Sequence, residues 1–244
     1  MNKIIIPRSV APWSISETAY NSREEYFWSV YLLTRADMLG ECRVTFEMLA
    51  SVLGRSAGTG NMPKIKREIK KVFHALASRN GLEKYTDDHM RLSFSSVDLD
   101  RAAKNTLLLL NVKASPSYRL PESFFAIEPD VIHKVSAAAR EQHISPVELF
   151  CFYAYMREKM RTYHLTDSTK VTGCWLSVRR ILDEYKISPA TYMKYRETLA
   201  NSKLMFSRSG KKTRTLTQFA LEDNQEAWDL IEKAMTGANI SGAI

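Results

Sequence analysis

The chain has 244 residues, 45% hydrophobic and 25% charged, as in a soluble globular protein large enough for one big domain or two ordinary ones. Its formal charge of +8 favours an anionic partner, most commonly nucleic acid. Its longest aliphatic run, LLLL at 107–110, is far below the roughly 20 residues of a membrane span, and Cys42, Cys151 and Cys174 lack the spacing of a zinc site and read as reduced thiols.

In chain order, residues 1–21 carry Pro7 and Pro12 and no clear period, and read as an irregular arm. "MNKIIIP" is too short in its apolar run for a signal peptide, so an intracellular, cytoplasmic location is expected. Ser22 and Glu25 form a capping-box pattern ahead of "EEYFWSVYLLTRADM", a helix stopped by Gly40. Thr45 caps "FEMLASVLG", and "RSAGTGN" is a loop. Pro63 opens a third helix that runs to about Ser78. "GLEKY", a turn at Asp87 and Asp88, and "MRLSF" read as a short hairpin. Residues 96–129 read as a connecting segment, with "SSVDLDRAAKN" a helix, "TLLLLNV" a strand or buried helix end, and "KASPSYRLPES" an extended link. "PDVIHKVSAAAREQ" is helical, and Ser145–Pro146 opens "VELFCFYAYMREKMRTY". Ser177 caps "VRRILDEY", "PATYMKYRETLANS" follows, "KLMFS" and "TRTLTQFALE" form a second hairpin around "RSGKK", and "NQEAWDLIEKAM" is a last helix before a loose tail at 236–244.

The order of elements repeats. Tyr31, Arg35 and Met38 match Tyr153, Arg157 and Met160 at one constant offset, and Cys42, Thr45 and Leu49 match Cys174, Ser177 and Ile181 at another. Three helices followed by a hairpin is the layout of a winged helix, whose third helix enters the DNA major groove. The expected fold is therefore mainly α with small β-hairpins, α+β in class, with two winged-helix domains in tandem at 22–95 and 130–235.

The third helix of each copy supplies the candidate binding residues. On a helical wheel, Ile65, Ile69, Val72, Phe73 and Leu76 form a stripe of about 100°. Lys64, Lys66, Arg67, Lys70, Lys71 and His74 fill most of the opposite side, with Glu68 the one break. A solvated face normally mixes signs to gain i,i+4 pairs; this one gives up most of them, which favours contact with DNA. In the second copy Ile181, Leu182, Tyr185, Tyr192, Tyr195 and Leu199 face the core. Pro189, Ala190, Met193, Lys194 and Glu197 then point outward, and Pro189, Ala190, Thr191 and Lys194 are its DNA-contact candidates. The second wing carries Arg208, Lys211, Lys212 and Arg214, expected on phosphates. Asp87 and Asp88 would keep the first wing off the backbone.

Catalytic and nucleotide-binding motifs are not legible. "GRSAGTGN" lacks the Gly-Lys-Ser/Thr ending of a P-loop and has no strand before it. The five histidines are scattered, without H-x-H or H-E-x-x-H. No metal, cofactor or enzymatic activity is expected.

Tandem winged helices in one basic chain of this length resemble the replication initiators of theta-replicating plasmids. "MPKIKREIKKVFHALASRNGL" looks like the long basic recognition helix of that family. The resemblance implies binding to repeated origin sites in double-stranded DNA, with host replication proteins and a second copy of the chain as partners. It further implies Lys64, Arg67 and Lys71 in the groove, and Lys66 and Lys70 on flanking phosphates. A transcriptional regulator or partition protein with the same fold, and a protein-interaction module, are the alternatives.

Overall fold

The computed structural model describes residues 4–7, 22–37, 40–55, 61–78, 91–93, 96–113, 124–164, 170–210 and 216–236. The chain divides into two compact units, Met1–Cys151 and Phe152–Ile244. Both mix helices with small antiparallel sheets, so the class is α+β.

The first unit runs β1 (Ile4–Pro7), α1 (Arg23–Arg35), β2 (Glu41–Val44), α2 (Phe46–Val52), α3 (Met62–Ser78), β3 (Arg91–Ser93), α4 (Ser96–Arg101), β4 (Leu108–Lys113), β5 (Phe124–Ile127) and α5 (Val131–Glu141). The next helix, α6 (Pro146–Lys159), crosses the division. Ser22 caps α1 by accepting from the Glu25 N–H at 3.2 Å, and Thr45 caps α2 by accepting from the Met48 N–H at 3.1 Å. Each satisfies a donor that the helix itself leaves unpaired. Every residue from Glu25 to Leu32 is buried, so α1 is enclosed on all sides rather than lying on a surface. Phe27 meets Phe150 edge-on at 5.6 Å, and Trp28 meets Phe73 of α3 at 6.1 Å. Gly40 takes φ +82 at the turn into β2, a conformation that costs glycine nothing.

Strand order in the main sheet of this unit is β2-β4-β3. β2 buries Cys42 and Val44, and β4 buries Leu108 and Leu110, while Leu109 is exposed. This is the period-two alternation of a sheet with one covered face.

The second unit continues β6 (Arg161–His164), β7 (Lys170–Leu176), α7 (Val178–Tyr185), α8 (Pro189–Asn201), β8 (Phe206–Ser209), β9 (Thr217–Ala220) and α9 (Gln225–Met235). Its sheet order is β6-β7-β9-β8. Phe152 collects Tyr185, Tyr192 and Tyr195 at ring distances of 5.5, 6.2 and 5.4 Å, joining α7 and α8 to the core. A second cluster packs Trp228, Leu230 and Ile231 of α9 against Val171 and Ala220 of the sheet. Gly173 makes that approach feasible, since a Cβ there would lie 2.4 Å from Ile231 Cδ1 and 2.6 Å from the Phe219 carbonyl.

Several expectations from sequence change. The arm contributes β1, whose β-branched "III" pairs with β5 in the register Ile4↔Ile127 to Pro7↔Phe124. In the segment 96–129, α4 and β4 lie where a helix and a strand or helix end are expected, and β5 is added. The strands β2 and β7 lie where turns or loops are expected, after the first helix of each copy. Residues 130–151 belong to the first unit: Arg140 donates to the Ser51 carbonyl at 2.9 Å, and His133 meets Tyr31 edge-on at 5.7 Å. The first hairpin is only partly observed. "GLEKY", Asp87 and Asp88 lie outside the described residues, and β3 pairs with β4 beyond α4.

Candidate nucleic-acid interface

The α3 helix buries Met62, Ile65, Ile69, Phe73 and Leu76. Their spacing of three and four residues puts them on one stripe, and the other residues follow from that anchor. Lys64, Arg67, Lys71 and His74 recur at the same spacing on the opposite side, and all four are exposed. Lys64, Arg67 and Lys71 form no ion pair with a described residue. His74 stands 3.7 Å from the Asp100 carboxylate.

The two flanks of α3 are turned to internal contacts. On one flank Lys66 donates to the Ala102 carbonyl and lies 5.2 Å from the centre of the Phe46 ring. Burial pushes the Lys66 ammonium below its ordinary pKa, and the neighbouring Lys70 charge adds to the effect. Lys70 donates to the Asp100 carbonyl at 2.7 Å, with the Asp100 carboxylate at 3.4 Å. Carbonyls at the end of a helix such as α4 attract cations in this way. Lys66 and Lys70, expected on flanking phosphates, thus both make contacts within the chain itself. On the other flank Glu68 pairs with Arg55. The carboxylate that interrupts the basic run in sequence therefore leaves the outward face to Lys64, Arg67, Lys71 and His74.

In the second unit Ser188 caps α8, accepting from the Thr191 N–H at 3.1 Å, with Pro189 in the first turn. Lys186 adopts the left-handed conformation, φ 58, and its N–H closes α7 on the Leu182 carbonyl at 3.0 Å. That tight turn sets α8 after α7. Pro189, Ala190, Met193, Lys194 and Glu197 are exposed, whereas Tyr192, Tyr195, Thr198 and Leu199 are buried. Thr191 is half-buried, and its hydroxyl lies 2.8 Å from Ser188 Oγ.

Arg208, expected on phosphates, makes contacts inside the second unit. Its Nε donates to Gln218 Oε1 at 2.9 Å, its guanidinium lies 4.8 Å from the Trp228 ring, and Gln218 donates on to Glu232. The guanidinium is thus turned to internal contacts with α9 and β9. Lys211, Lys212 and Arg214 lie outside the described residues. The Gly210 N–H donates to the Leu216 carbonyl at 3.1 Å.

Beside α3, Glu24, Glu25, Glu68, Arg55 and Lys71 help line a cleft of about 740 Å³ in the first unit. Its charges are mixed. Among the described residues no group of three or more His, Cys, Asp or Glu could hold a metal ion, and no helix is long and apolar enough to cross a membrane. The three cysteines are buried free thiols.

Sequence reasoning missed Asp100 and Arg55, the residues that sort the α3 charges into internal and outward sets. Neither is near α3 in the chain, and no local pattern marks them. Comparison with protein-family models and with curated proteins finds no match.

Proposed function

We propose that the chain is a sequence-specific double-stranded DNA-binding protein made of two winged helices, and that it acts as a replication initiator on repeated origin sites. The fold reading is supported by a repeated topology. Two sets of elements, α1 to β4 and α6 to β9, each run helix, strand, two helices and two strands, with α4 inserted in the first and β6 inserted before β7 in the second. In both, the first of these strands pairs with the last, which pairs with the middle one, as β2-β4-β3 and β7-β9-β8. A winged helix presents its third helix, α3 or α8 here, to the major groove.

The single observation that carries the DNA reading is the outward face of α3. Lys64, Arg67 and Lys71 stand exposed together, while Glu68 is drawn off to Arg55. Three unneutralised cations on one helix face are electrostatically costly for the free protein, and a phosphate backbone offsets that cost by releasing its counterions. The mechanism is binding without covalent chemistry: arginine and lysine fix the helix on the duplex, and groove-facing side chains read base edges. The initiator role rests on the resemblance of the basic third helix to plasmid initiators, with host replication proteins and a second copy as partners.

The test is a binding selection from random duplexes, followed by titration of the selected site at two salt concentrations. A bipartite or repeated motif with steep salt dependence supports the reading, and its place in the source replicon's origin supports the initiator role. No enriched motif and no salt dependence would remove it.

A further inference from the structure

The outward faces of α3 and α8 differ in chemistry. That of α3 carries Lys64, Arg67, Lys71 and His74, with no apolar side chain among them. That of α8 carries Ala190 and Met193 three residues apart, hence on one side of the helix, with Lys194 and Glu197 offsetting each other in charge. Met193 is 39% exposed, and the other large exposed apolar side chains among the described residues are Leu107 and Leu109, in the sheet region of the first unit. The Thr191 hydroxyl lies 2.8 Å from Ser188 Oγ.

Base edges in the major groove sort along the same division. Guanine offers two acceptors, N7 and O6, to Arg or Lys; thymine offers a methyl group to apolar side chains. We infer that the two helices read different bases: α3 reads guanine, chiefly through Arg67, and α8 reads thymine methyl groups through Ala190 and Met193. The bound site is then asymmetric, one part guanine-dependent and the other methyl-dependent. This inference rests on the DNA reading above.

Two base analogues separate these contacts. Uracil in place of thymine removes only the methyl group, and 7-deazaguanine in place of guanine removes the N7 acceptor. The selected duplex is titrated with each analogue at one position at a time, using the full chain, Met193→Gln and Arg67→Gln. Both side chains are exposed, so neither substitution disturbs the core. Uracil should weaken the parent about fourfold per contacted methyl, the worth of one apolar carbon, at one group of positions. Met193→Gln should bind the thymine and uracil versions alike at those of the positions that Met193 reads, leaving only the ones read by Ala190. 7-Deazaguanine should weaken the parent about tenfold at a separate group of positions, and Arg67→Gln should erase that difference. Specific binding that ignores uracil everywhere, or a uracil effect that persists unchanged at every position in Met193→Gln, overturns this inference and leaves the DNA reading standing. Absence of salt-sensitive binding to any duplex overturns both.

Discussion

The Lys70 ammonium donates to the main-chain oxygen of Asp100 at 2.7 Å and stands 3.4 Å from the carboxylate of the same residue. That carboxylate also faces His74 at 3.7 Å, so it sits at the margin of the outward basic face. Asp100→Asn keeps the main-chain acceptor and removes only the negative charge. DNA affinity should rise on the order of threefold at low salt, as expected for one screened like-charge repulsion removed near a phosphate. Titration of one duplex by both proteins checks it, and an unchanged or lower affinity would place Asp100 away from the bound DNA.

Internal and outward lysines on α3 should behave oppositely. Lys64→Ala and Lys71→Ala should each reduce the slope of log K against log salt by about 0.9, one phosphate contact. Lys66→Ala should leave that slope alone and lower stability by about 1 kcal/mol, through a lost hydrogen bond and the lost cover of its stem over Phe46. Binding isotherms and thermal melts of the three variants decide it. A slope change in Lys66→Ala would return that residue to the phosphate-facing set.

That sorting marks where sequence reasoning stops. The buried stripe of Ile65, Ile69, Phe73 and Leu76 is legible from spacing, as are the caps at Ser22, Thr45 and Ser177, because each depends on neighbours within a turn. The outward set on α8 is legible for the same reason. A wheel says which side a lysine leaves the helix, but not what lies opposite, so the carbonyls of Asp100 and Ala102 could not be anticipated. Short strands fail likewise. "ECRV" has only Cys42 and Val44 turned inward, too few to set a period, and it becomes a strand through its pairing with β4. The pairing of β1 with β5 joins distant parts of the chain, with no local signal in either.

The basic residues between 208 and 214 allow a similar division. Lys211→Ala with Lys212→Ala should weaken binding to every duplex and reduce the salt slope by about 1.8, two phosphate contacts. Arg208→Met should leave the slope unchanged and cost about 1 kcal/mol of stability, since its guanidinium stacks on Trp228 and bonds Gln218. Salt titrations paired with denaturant unfolding test both. A flat response in the double variant would remove the wing from the interface.

Glu184 should govern acid stability of the second unit. It accepts from Arg180 Nε at 2.6 Å and Tyr155 OH at 3.1 Å, and Lys159 Nζ lies 3.1 Å away. Burial alone would raise its pKa, but these hydrogen bonds and the Lys159 charge outweigh it, and the carboxyl lies below its ordinary 4.5. A depressed folded pKa means that the unfolded chain takes up the proton first. The stabilisation is therefore full above about pH 4.5 and is lost as pH falls through the folded value. Glu184→Gln should cost about 1 kcal/mol at neutral pH and show a shallower loss of stability below pH 4.5. Melting temperature against pH for both proteins checks the sign, and parallel curves would refute the assignment.

Gly173 gives a prediction independent of charge. Its backbone has no positive φ to protect, so the effect of a side chain there is purely spatial. In Gly173→Ala the new methyl would meet Ile231 Cδ1 and the Phe219 carbonyl inside 3 Å. The Ile231 side chain can rotate, but the carbonyl belongs to β9, hydrogen-bonded to β7, and moves only with the sheet. Overpacking of this kind costs about 1–3 kcal/mol, and the strain falls on the seat of α9 rather than on α8. Unfolding should begin at lower denaturant, while affinity for the selected duplex, measured where the protein is still folded, stays within about twofold of the parent because no DNA-facing group moves. A variant as stable as the parent would show that α9 shifts off the sheet without cost, and a large affinity loss in the folded protein would tie α9 to the DNA-binding surface.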